Sequence, residues 1–130
     1  MSRSAQDVLE FDKLRELLRQ RTTCVPGHRH IDALAPTTDR AALESSFALI
    51  REAREWLRSG RELGFGGLAD PQSWLDRLEG VGAALEPREF LDAASLLDTA
   101  AWLKPQFKED AAKFPLLAAR ASSLAGTTRT

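Results

Sequence analysis

At 130 residues, 43% of them hydrophobic and 28% charged, the chain has the bulk and balance of one globular domain. Eighteen Lys and Arg against nineteen Asp and Glu leave a formal net charge of -1, which excludes the basic excess of a dedicated nucleic-acid binder. The single cysteine, Cys24, excludes an intrachain disulfide, and the opening MSRSAQDVLEFDK lacks the apolar run of a signal peptide. With no stretch near the ~18 apolar residues of a membrane span, the expected location is cytoplasmic.

The elements expected in chain order are all helical. Phe11, Leu14, Leu17 and Leu18 follow a helix period, with Asp12 as the expected N-cap of a helix reaching Arg21. A break at TTCVPGHRH precedes a short helix with Pro26 in its first turn and Pro36 at its end. The clearest element follows, capped by Thr38 or Asp39 and closed by a left-handed Gly60. Leu43, Ser46, Phe47, Ile50, Ala53 and Leu57 are its expected buried face, widened by Leu49 and Trp56. Arg54 falls inside that arc, so it must either snorkel outward or find a carboxylate, the salt bridge being the expected outcome. Glu52 and Glu55 are read as a solvated pair.

Asp70-Pro71 is a helix-start pair for a short helix carrying Trp74, Leu75 and Leu78, which stops near Gly80 and Gly82. Glu86-Pro87 opens the next long helix. Its expected main face is Phe90, Ala93, Ala94, Leu97, Ala100 and Ala101, and Pro105 should kink or end it. A last helix with Pro115 in its first turn runs from about Phe114 to Leu124. Residues 1–7 and 125–130 are expected to fray. No run of β-branched residues alternates, so the expected fold is all-α: an irregular bundle of five or six helices without a sheet, in a single helical domain over 1–130.

Chemistry-bearing patterns are few. In RELGFGGLADP, Gly64, Gly66 and Ala69 fit G-x-G-x-x-G/A, but a dinucleotide turn needs a strand before its glycines, and a helix precedes them here. None of the four lysines sits in a G-K-[ST] setting. The segment therefore reads as a helix-to-helix connector with positive φ angles. His28 and His30 lie about 200° apart on a helix and cannot share a metal as an i, i+4 pair could. The residues thus nominate no catalytic, cofactor-binding or metal-binding side chain. A second apolar stripe, Leu91 and Trp102, lies to one side of the main face of the long helix and is the candidate partner-docking surface.

The order of the segments carries a further signal. Leu9-Glu10-Phe11-Asp12-Lys13, then Leu34-Ala35-Pro36-Thr37-Thr38-Asp39, then Glu52-Ala53, then Gly66-Gly67-Leu68-Ala69-Asp70, then Leu85-Glu86-Pro87-Arg88-Glu89-Phe90 run in sequence. Over residues 8 to 120 the chain resembles the N-terminal region of the MutS-two proteins, bacterial MutS paralogues without a mismatch-recognition domain. Phe65 and Arg88 depart from the usual pattern. The resemblance implies a helical, non-catalytic piece of the core and lever region of an ATPase, with ATP and Mg bound elsewhere in the parent protein. It also implies association of the parent with branched DNA or ribosomes. The expected partners of the chain itself are the remainder of that parent and, weakly, a second copy. A free-standing helical interaction module is the alternative.

Overall fold

The computed structural model describes residues 9–124. The termini expected to fray, 1–7 and 125–130, lie outside the described residues. Six helices and no strand are found among the described residues: α1 (Phe11–Gln20), α2 (Val25–Asp32), α3 (Arg40–Arg58), α4 (Gln72–Leu78), α5 (Pro87–Glu109) and α6 (Pro115–Ser122). The all-α expectation holds. The chain divides into two compact units, each built from two separate stretches of sequence: up to Pro36 with Phe65–Asp92, and Thr37–Gly64 with the part from Ala93 onward.

In the first unit α1 packs on α2. The N-cap of α1 is Glu10 in a left-handed conformation, not Asp12 as expected. Asp12 sits instead in the first turn and pairs with Arg15, where its charge suits the helix dipole. Arg15 also donates to the carbonyls of Asp32 (3.2 Å) and Leu34 (3.3 Å), tying α1 to the end of α2. That end falls at Asp32, before Pro36. Two backbone hydrogen bonds, Gly67 to the Thr23 carbonyl at 3.1 Å and Val25 to the Leu68 carbonyl at 3.4 Å, bind the glycine segment to the start of α2. Asp70 accepts from the Gln72 N–H at 3.0 Å as α4 begins, and pairs with Arg29. That Arg29 hydrogen bond first, and the Gln72 N–H second, hold the Asp70 carboxyl below the usual carboxylate range. Glu89 reaches back to the Glu86 N–H at 2.8 Å, closing the start of α5 as a capping box does, and pairs with Arg77. Leu68 and Trp74 are the buried hydrophobics here, and the Trp74 indole N–H is buried without an acceptor among the described residues.

The second unit holds the larger core: Trp56, Leu103, Phe107, Phe114, Leu117 and Ala121, with Leu49, Ala53, Leu63 and Ala118 packed at its margin. As expected, Asp39 caps α3 by accepting from the Ala42 N–H (3.0 Å), and Gly60 follows it at φ 81°. The face of α3 is corrected. Trp56 is its one fully buried side chain, whereas Phe47, Ile50 and Leu57 are each about half exposed. Leu49, Ala53 and Trp56 face the core. Arg54, being on the outer side, stands in solvent and needs no carboxylate.

The expected face of α5 is overturned, and of the two outcomes expected at Pro105, a kink or an end, the end is excluded. Its buried arc runs through Leu103 and Phe107, about 100° around from the centre of the expected face, and Phe90 and Leu97 are exposed. The helix also continues through Pro105 to Glu109. A mid-helix proline costs about 3 kcal/mol. Burying Leu103 on one side of it and Phe107 on the other returns about 1.5–3 kcal/mol each, so core packing carries the helix across.

Glu52 is the last correction. It is no solvated surface acid: its carboxylate accepts from the backbone N–H of Leu116 (2.9 Å) and Leu117 (3.0 Å), capping α6 from a distant helix. An acidic side chain there satisfies orphan donors and complements the helix dipole. Glu52→Ala is expected to lower stability by about 1–2 kcal/mol while helicity is retained, measured by chemical denaturation followed by circular dichroism. Unchanged stability would show that the cap is energetically idle.

Candidate docking surfaces

The glycine segment was the one place where a nucleotide turn had a sequence pattern. Gly60, Gly64 and Gly67 all have positive φ, at 81°, 67° and 76°, and no strand precedes them among the described residues. The glycines bend a connector. Gly64 has a second constraint: a Cβ there would stand 3.1 Å from the Trp102 ring, whereas Gly60 and Gly67 face open space. The two histidines of GHRH sit on α2. The His28 Nε2 lies 3.2 Å from the Thr22 carbonyl, a hydrogen bond that occupies one ring nitrogen. Among the described residues no group of three His, Cys, Asp or Glu side chains is placed to hold a metal. No helix there is long and apolar enough to cross a membrane.

A shallow charged cleft of about 380 Å³ is lined by Asp12, Arg15, Glu16, Arg19 and Asp32. Its arginines are already engaged, Arg15 with Asp12 and two carbonyls, Arg19 with Asp32. Each arginine thus already faces a carboxylate in the cleft.

What the chain does expose is large apolar side chains. Within the first unit Leu91 is 72% exposed, and Phe90 is bare beside it. Within the second, Trp102 is 48% exposed, its other edge lying over Gly64, and Leu97 is bare too. Both candidate docking residues therefore present apolar surface along α5. Helix α4 does not cover Leu91, although Trp74 on that helix is itself buried. The exposed outer face of α3 has no counterpart in the sequence-derived candidates, because Phe47, Ile50 and Leu57 were assigned to the core. Opposite-face wheels with similar apolar content give no signal to choose between them.

No model of a known protein family matches the chain, and no solved structure matches it. Curated relatives do. The chain is similar to Endonuclease MutS2 of Symbiobacterium thermophilum, 34% identical over 111 residues that cover 85% of this chain and 14% of that protein. Endonuclease MutS2 of Bacillus velezensis is 31% identical over 127 residues, 95% of this chain and 16% of its own length. A Geobacillus Endonuclease MutS2 is 32% identical over 121 residues, 91% and 15% respectively. The chain thus spans about a seventh of the relatives it matches.

Two expectations follow from this geometry. Gly64→Ala combines a left-handed backbone with a ring contact and should cost about 1–3 kcal/mol, more than Gly60→Ala, where only the backbone is strained. Equal losses in urea denaturation would show that the Trp102 contact is slack. Leu91→Glu with Trp102→Glu should keep its helical circular dichroism and sediment more strictly as a monomer than the unmodified chain. Because Trp102 also touches Gly64, Leu91→Glu alone serves as the second variant. Unfolding of that single variant would place the stripe in the core.

Proposed function

The chain is related to the MutS2 proteins, matching a segment of them, and from that premise we infer that it is a helical scaffold segment of a MutS-like ATPase and has no catalytic role of its own. The reading is that α5 docks on the remainder of the parent protein and passes the state of its ATP- and Mg-binding part to the end that meets branched DNA or ribosomes. One observation supports it above the others: Phe90 and Leu91 are mostly exposed, and Leu97 and Trp102 about half exposed, on a helix whose outward faces are mostly uncharged. Apolar patches of that kind mark contact surfaces, and covering a Leu and a Trp again returns on the order of 3–5 kcal/mol.

The alternative, a self-sufficient interaction module, leaves the same helix for a separate partner. Phe90→Glu with Leu97→Glu in the longer protein distinguishes them. Under the scaffold reading, ATP binding by the longer protein persists and the response of its ATPase to branched DNA or ribosomes falls several-fold in a steady-state hydrolysis assay. A response equal to that of the unmodified protein would overturn the scaffold role.

A further inference from the structure

Helix α3 presents a second kind of surface. Trp56 and Leu49 mark its core side. At about 100° per residue, Arg51, Arg54 and Arg58 fall together within about 60° on the opposite side, spread over about 10 Å of helix, with Phe47 among them. All three arginines are exposed, and none has an ion-pair partner among the described residues. Arg40, in line with them, is held by Glu44 at 3.0 Å. Glu55 flanks the row on the polar side. Along its other edge run Ile50 and Leu57, 52% and 51% exposed, with Leu43 half-buried at their head.

An arginine row beside an aliphatic stripe, with an aromatic ring at the seam, is a two-part surface. Phosphate chains would use the arginines but leave Ile50 and Leu57 in water. A helix with an apolar stripe flanked by carboxylates satisfies both parts, since guanidinium groups take carboxylates bidentately and the stripes bury each other. Arg and aromatic side chains are enriched where polypeptides meet. We propose that the outer face of α3 is a docking site for an acidic amphipathic helix. The proposal stands on α3 alone and does not require the scaffold reading of α5.

The probe is a fluorescein-labelled synthetic helical peptide carrying a leucine stripe flanked by glutamates, titrated with the full chain and followed by anisotropy. Saturable binding is expected. Arg51→Glu with Arg54→Glu should weaken it about tenfold, two exposed attractions having become repulsions, and Ile50→Glu should weaken it independently. A peptide with lysines in place of the glutamates should bind the double arginine variant better than the unmodified chain. All substituted side chains are exposed, so circular dichroism should be unchanged and serves as the control for folding. The proposal is overturned if the acidic peptide binds no better than the lysine peptide, or if the charge swap restores nothing. It is equally overturned if a DNA duplex binds this face more tightly than the peptide, which would make the row a phosphate track.

Discussion

Everything in the second unit is arranged around one indole. Trp56 has no exposed surface, and burying an indole N–H without an acceptor costs about 1–3 kcal/mol. The Glu62 carbonyl supplies one at 3.1 Å, just past the end of α3. Phe107 of α5 meets the ring at 4.6 Å between centroids, tilted by 56°, and Phe114, at the start of α6, meets it at 5.1 Å, nearly edge-on at 76°. These are the offset geometries that aromatic quadrupoles favour. Arg61 lies over the indole at 4.6 Å and pairs with Asp110, so the polar rim of the core is closed by a cation held in place. One side chain therefore fixes where α3 ends, which side of α5 turns inward, and where α6 begins.

That dependence explains what could be read from sequence and what could not. Helix number and type were legible because caps and breakers are local chemistry: Asp39, Gly60, Asp70, Pro87 and Pro115 all act within a turn of themselves. Buried faces were not legible. In α3 and α5 apolar residues occupy more than one side, so periodicity leaves the orientation open, and Trp56, Leu103 and Phe107 settle it through contacts between distant stretches. Pro105 failed as a stop signal for the same reason, tertiary packing outweighing a local preference. Glu52 was missed because its partners, Leu116 and Leu117, lie 64 and 65 residues away.

Of the candidate docking residues, Leu91 and Trp102 were nominated because they lay outside the expected face, and both are exposed. The arginine row of α3 is hidden in the sequence because Phe47, Ile50 and Leu57 make its side read as core. A face wrongly assigned inward hides its charges as well as its apolar residues. Arg54, the residue that fitted badly, was the clue: an unpaired guanidinium in a supposed core arc is a reason to turn the helix over.

The distribution of tryptophans gives the molecule a built-in optical readout. The chain has three tryptophans and no tyrosine, so its ultraviolet fluorescence comes almost wholly from indoles. Trp74 belongs to the first unit and Trp56 to the core of the second, both buried, while Trp102 is half in water. Buried indoles emit to the blue and shift red on hydration, whereas Trp102 already starts from a partly hydrated state. The signal lost when each is singly replaced by phenylalanine thus reports, by difference, on three events: the melting of one unit, the melting of the other, and the covering of α5 by whatever binds there. Whether the two units unfold as one cooperative body or in sequence is in this way written into the protein's own colour.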